Sequence, residues 1–199
     1  MRITLFDYGA GNLHSLAKAL RGEDRDVRFE TDPCAAADTD VLILPGVGAF
    51  EPAAAALAAG RDAMRDAIAS GVPCLGICLG MQLLFEESDE GHGAGLGAIP
   101  GRVTRLRTER TPHIGWNTID EPTDPLFAAA ALETAYYANS FVCRPLDESV
   151  VTAWSTHDGD RFAAAVRAGN TVGVQFHPEK SSSRGLAFVN EFLTHVPNS

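Results

Sequence analysis

The sequence predicts an α/β fold: a mostly parallel central sheet flanked by helices, with an added antiparallel β section in the second half. Three observations carry that expectation. Short apolar runs alternate with helical stretches through the first half, which implies parallel strands with helices on both faces. Those runs are near-continuously apolar, as in a sheet buried on both sides. Residues 100–177 are instead rich in β-branched and aromatic residues broken by turn signals, which reads as hairpins beside the parallel core.

Arg2–Phe6 reads as a buried strand, followed by the glycine loop Asp7–Asn12 and a helix over about Leu13–Leu20. Val27–Glu30 fits a second strand. Asp40–Leu44 fits a third, closed by Pro45-Gly46. Residues 51–69 are Ala-rich and helical, with a C-terminal stop at Ser70-Gly71. Val72–Ile77 is another apolar strand and Met81–Glu87 another helix. Asp158-Gly159-Asp160 and Gly169-Asn170 mark hairpin turns. A last helix is expected over about Ser182–His195, capped by the serines before it. Without an internal repeat or linker, one domain over residues 1–199 is expected.

Composition narrows the function. The chain has 199 residues, 45% hydrophobic, which suits a globular core without disulfide or metal support. Its formal net charge of -10 argues against nucleic acid and against an anionic membrane surface. The N-terminus meets an acid too early for a signal peptide, and no apolar run approaches a spanning helix. The cytoplasm is therefore expected, where Cys34, Cys74, Cys78 and Cys143 stay reduced.

The sharpest chemical feature is Gly76-Ile77-Cys78-Leu79-Gly80, where a predicted strand turns into a predicted helix. This is a nucleophile elbow with Cys in place of Ser. It puts Cys78 at a helix N-terminus, which favours thiolate, and aims the Leu79 N–H at a developing oxyanion. Cys74, inside the strand, reads as inert core. A Cys74/Cys78 metal pair has no second pair to complete it, so no metal is expected.

Of the six histidines, His177 has the most telling context, Gln175-Phe176-His177-Pro178-Glu179-Lys180. Pro178 pushes His177 toward extended backbone. Positions i and i+2 then share a side, so Glu179 can accept from the imidazole. Cys78, His177 and Glu179 thus fit nucleophile, base and orienter. Leu44-Pro45-Gly46-Val47-Gly48 ends a predicted strand, where a Gly-Val-Gly loop can offer backbone N–H groups to an oxyanion or form a plain turn. Gly9 and Gly11 lack the rest of a dinucleotide fingerprint, so no cofactor is expected.

Together these pieces resemble the class I (triad) glutamine amidotransferases, whose oxyanion loop, elbow and His-Pro-Glu segment occur in this order. Asp7–Leu13, Pro45–Phe50, Gly76–Glu86, Pro112–Asn117 and Gly173–Ser181 carry a narrower resemblance, to the glutaminase subunits of histidine biosynthesis. It runs from end to end and implies a flavodoxin-like class I amidotransferase fold. It implies L-glutamine as substrate and Cys78, His177 and Glu179 as triad. It implies an oxyanion hole from Val47, Gly48 and Leu79, and substrate contacts from Gln82, Glu90, Asn139, Ser140 and Phe141.

Asn139 stands where the family usually has His, and Glu90 sits in an acid-rich stretch that reads as a solvated helix end. The resemblance further implies ammonia transfer to a cyclase subunit, a (β/α)8 barrel, in a heterodimer. Asn12, Trp116, Asn117, Tyr136 and Lys180 would face that barrel, although Trp116 and Tyr136 would equally suit a core. The glutaminases of pyridoxal phosphate, anthranilate or aminodeoxychorismate synthase remain alternatives, as does a catalytically silent module on the same fold.

Overall fold

A computed structural model describes residues 1–9 and 13–195. In chain order the elements are β1 (Arg2–Phe6), α1 (His14–Leu20), β2 (Asp26–Glu30), α2 (Pro33–Ala37), β3 (Val41–Leu44), α3 (Phe50–Leu57), α4 (Arg61–Ala69), β4 (Cys74–Ile77) and α5 (Leu79–Leu83). There follow β5 (Glu87–Ser88), β6 (Gly101–Arg105), β7 (His113–Thr118), α6 (Pro125–Ala130), β8 (Thr134–Asn139) and β9 (Phe141–Pro145). The chain continues through β10 (Val151–His157), β11 (Asp160–Ala168), β12 (Thr171–Val174) and α7 (Ser182–Thr194).

The central sheet has seven strands in the order β10-β11-β12-β4-β3-β1-β2. The five from β12 to β2 are parallel, and β10 and β11 extend the sheet antiparallel. The expected hairpins are there: Asp158 and Gly159 turn β10 into β11 with positive φ, and Gly169 and Asn170 turn β11 into β12. Two smaller sheets, β5-β6-β9 and β7-β8, sit beside it.

Burial on both faces explains the unbroken apolar strands. Val41 and Ile43 of β3 join one core cluster, with Leu16 and Leu20 of α1 and Phe188 and Phe192 of α7. Leu42 and Leu44 join a second, with Phe50 and Leu57 of α3 and Met64 of α4. Alternate side chains therefore serve opposite layers, and every position must be apolar.

Several boundaries differ from expectation. The helix over 51–69 is two helices, because Gly60 breaks it where α2 packs. A Cβ there would lie 2.6 Å from the Cys34 nitrogen. Helix α2 itself was not anticipated, though Asp32 caps it by accepting from the Cys34 N–H and Pro33 occupies its first turn. Strand β4 begins at Cys74 rather than Val72, since Pro73 has no N–H for the ladder.

Helix α5 begins at Leu79 and stops at Leu83, short of the expected Glu87. The carbonyls of Leu83, Leu84, Phe85 and Glu86 accept from Leu96, Ile99, Gly97 and Gly95 instead of continuing the helix. The acid-rich stretch that follows is β5 and a turn, not a solvated helix end. No helix of the described residues is long and apolar enough to cross a membrane.

A histidine stack braces the small β7-β8 sheet. His113 is buried, with its ring 4.9 Å from Tyr137 and 4.1 Å from His157, centroid to centroid. Burial, then the neighbouring His157, hold its pKa down to about 4, against an opposing pull from Asp158.

Two predictions follow from this architecture. A Cβ at Gly80 would lie 1.9 Å from the Leu44 carbonyl oxygen, a backbone atom that cannot move aside. Gly80→Ala should therefore cost about 3 kcal/mol or more in urea unfolding. Because folded His113 stays neutral to about pH 4 while the unfolded residue protonates near 6.5, the unfolded state binds the extra proton in that window. Stability should fall as pH drops from about 6.5 toward 4, and His113→Phe should make that decline shallower in pH-dependent thermal melts.

Candidate active site

Strands β3, β4 and β12 lie side by side and parallel, so the loops after them open at one sheet edge. That edge holds a cleft of about 390 Å³, a size suited to an amino acid. It is lined by Gly46, Val47 and Gly48 after β3, by Cys78, Leu79 and Gln82 after β4, and by His177 and Lys180 after β12. Glu90, Asn139, Ser140 and Phe141 complete the wall. Every expected triad, oxyanion and substrate residue therefore lines this cleft except Glu179, which stands behind His177.

Cys78 occupies the turn between β4 and α5 with φ 48° and ψ -104°, a strained conformation for a non-glycine residue. Its N–H donates to the Val174 carbonyl at 2.7 Å, which docks the elbow on the end of β12. The close packing of α5 on β3 requires Gly80, and Gly48 holds a positive φ of 124° in the loop after β3.

His177 is almost wholly buried and has the expected extended backbone. Its Nδ1 lies 2.8 Å from Glu179 Oε1. The expected reason for that contact is only half right: the chain turns into a 3-10 helix at Pro178–Lys180, and Glu179 reaches back from that turn. Burial alone would push the imidazole down. Hydrogen bonds to Cys78 and Glu179, with the charges of both, outweigh it and raise the pKa to about 10. Such a histidine is protonated at neutral pH.

Ser181 does not cap α7 with its side chain as expected. Its hydroxyl donates to the His177 carbonyl at 2.6 Å and accepts from the Tyr136 N–H at 2.9 Å. The His177 N–H in turn donates to the Tyr136 carbonyl at 2.8 Å. Strand β8 thus holds the histidine backbone from both sides.

Across the cleft, Gln82 Nε2 and Asn139 Nδ2 both donate to the Phe141 carbonyl at 3.1 Å. The Asn139 side chain therefore braces the backbone of its own segment. Glu90 accepts from the Phe50 N–H at 2.9 Å and ties the start of α3 to the cleft wall.

The expected partner-facing residues divide. Trp116 is exposed, stands edge-on to Tyr136 at 6.4 Å, and Lys180 Nζ lies 6.0 Å from the Tyr136 ring. These three form one surface. Asn117 falls on the other face of β7, where its amide donates to the Thr156 carbonyl at 2.9 Å. Asn12 lies outside the described residues.

Two residues of the site escaped sequence reasoning. Gln175 is fully buried, and its Nε2 donates to Cys78 Sγ at 3.5 Å. It sits two residues before His177, in the bend that follows β12, where strand alternation does not mark it. Tyr8 is buried and its hydroxyl donates to the Pro45 carbonyl, bracing the start of the loop after β3. No signal in the local pattern marks that contact.

The model of the class-I glutamine amidotransferase family matches residues 4–196. The imidazole glycerol phosphate synthase subunit HisH of Synechococcus sp. (strain JA-3-3Ab) is 42% identical, covering 98% of this chain and 94% of that protein. The protein of the same name from Corynebacterium glutamicum is 39% identical, with 98% of both chains covered. A solved glutamine amidotransferase aligns with a TM-score of 0.74 at 20% identity, covering 96% of this chain and 97% of its own. The structure of PurLQS from Thermotoga maritima aligns at 0.70 and 21%, covering 98% and 99%. The elbow, the oxyanion loop and the His-Pro-Glu turn therefore sit in a shared fold, and the chain belongs to the class-I glutamine amidotransferase family.

Proposed function

We propose that the chain is the glutaminase subunit of an imidazole glycerol phosphate synthase. It hydrolyses L-glutamine to glutamate and ammonia and passes the ammonia to a cyclase subunit. Near-full-length identity of 39–42% to proteins of that name supports the pathway. The observation that carries the chemistry is that Cys78 and His177 line one amino-acid-sized cleft, with Glu179 hydrogen-bonded behind His177.

In this reading the Cys78 thiolate attacks the side-chain amide carbon of glutamine. The oxyanion forms between the Val47–Gly48 peptide and the Leu79 N–H. Protonated His177, held by Glu179, gives its proton to the leaving ammonia, and a thioester remains. Water, deprotonated by His177, then releases glutamate and restores the thiolate. Gln82, Glu90 and the backbone of Ser140 and Phe141 hold the amino-acid end, with Asn139 keeping that backbone in shape.

The partner is a (β/α)8-barrel cyclase, joined as a cytoplasmic heterodimer across Trp116, Tyr136 and Lys180. The products downstream are imidazole glycerol phosphate and aminoimidazole carboxamide ribotide. No cofactor enters the glutaminase step. The chain acts as one domain over 1–199.

The test is glutaminase activity of the purified chain, alone and with a barrel cyclase plus its nucleotide ligand. Strong activation by the loaded cyclase is expected. High activity indifferent to that partner would assign the triad to a different synthase.

Cys78→Ala should reduce glutamine-dependent synthesis by at least about 10⁴-fold while ammonia-dependent synthesis by the complex persists. Loss of both would refute the role given to Cys78. Cys74 is fully buried, and burial pushes its thiol far above the ordinary range. Cys74→Ala should cost about 1 kcal/mol of stability and leave turnover within about twofold. Thermal melts and steady-state assays check both.

A further inference from the structure

We propose that Gln175 is a further catalytic residue: its side-chain amide is a second hydrogen-bond donor to Cys78 Sγ, beside His177, and holds the sulfur as an oriented thiolate. This deepens the glutaminase reading and rests on Cys78 being the nucleophile.

Geometry supplies the first argument. Gln175 Nε2 lies 3.5 Å from Cys78 Sγ, an ordinary N–H···S separation. Both ends of the contact are fixed by backbone. The Gln175 N–H donates to the Ala164 carbonyl at 2.9 Å, which continues β12 along β11. The Cys78 N–H donates to Val174, the residue before Gln175, at 2.7 Å. The amide and the sulfur therefore meet without a flexible segment between them.

Burial supplies the second. Gln175 has no exposed surface, and its Oε1 is buried with no hydrogen-bond partner among the described residues. An orphaned buried amide oxygen is destabilising relative to an apolar side chain of the same shape. Packing alone would favour Leu or Met at this position. A side chain kept at that cost, with its other end on the nucleophile, points to a role in the chemistry.

The third argument is the state of the sulfur. A thiolate accepts an N–H more strongly than a neutral sulfur does. The Gln175 contact therefore favours thiolate before attack. It also favours the thiolate leaving group when water opens the thioester. Gln175 and His177 both follow directly after β12, so two donors reach one sulfur from a single segment.

The test uses the full chain in complex with its cyclase. The rate of Cys78 alkylation by iodoacetamide is measured against pH, with modification read at the Cys78 peptide by mass spectrometry. Gln175→Met keeps the volume and removes the donor. Gln175→Glu keeps the shape and offers the sulfur only oxygens.

For Gln175→Met the pH of half-maximal alkylation should rise by about one unit, and kcat should fall roughly tenfold with KM for glutamine within about twofold. Gln175→Glu should shift the alkylation profile further in the same direction. An unchanged profile in folded variants overturns the proposal even if turnover falls, because a merely structural role does not move it. Failure of both variants to fold assigns Gln175 to the core and overturns it as well. The triad reading fails separately, if an electrophilic glutamine analogue does not label Cys78 in the unmodified complex.

Discussion

The hydrogen bond from the Cys78 N–H to the Val174 carbonyl is the contact on which the site depends. Parallel pairing of β4 with β12 brings the two strand ends level, Ile77 opposite Val174. One more residue on each strand makes the elbow on one side and the histidine segment on the other. Without this junction Cys78 and His177, separated by about a hundred positions in sequence, would share no frame. The strained φ of Cys78 is tolerable because both flanks are held: Gly80 lets α5 lie directly on β3, and Val174 holds the elbow nitrogen.

Two histidines show how location decides charge. His113 and His177 are both buried, and burial pushes both toward the neutral form. His113 meets aromatic rings and a second imidazole, and the opposing pull of Asp158 is too weak to offset desolvation, so its pKa is held near 4. His177 meets an acid on one nitrogen and a thiol within hydrogen-bond reach, and these reverse the direction. The same side chain thus braces a small sheet in one place and stores a proton in the other.

Local chemistry was legible in the sequence wherever it is carried by chain neighbours. The elbow glycines, the proline after His177 and the apolar strands each act within a few residues, and the structure places them as read. Long-range packing was not legible. Gly60 looks like one more residue in an Ala-rich helix until α2 arrives against it from residues 33 and 34. Helix α5 loses its last turns to a loop at residues 95–99 that claims its carbonyls. Ser181 looks like a cap, but Tyr136 and His177 take its hydroxyl. In each case a distant segment outcompeted a local preference, and no window of neighbouring residues contains that segment.

The same clamp relates the assigned partner face to the chemistry. Tyr136 presents its ring to the surface beside Trp116 and Lys180, while its backbone N–H and carbonyl are spent on Ser181 and His177. Strand β8 ends at Asn139, whose amide holds the Phe141 carbonyl at the other wall of the cleft. One strand of six residues therefore touches the outer surface, His177 and the cleft wall. Lys180 belongs to both places, lining the cleft while lying over Tyr136. The surface of Trp116, Tyr136 and Lys180 is thus separated from His177 by a single layer of backbone hydrogen bonds.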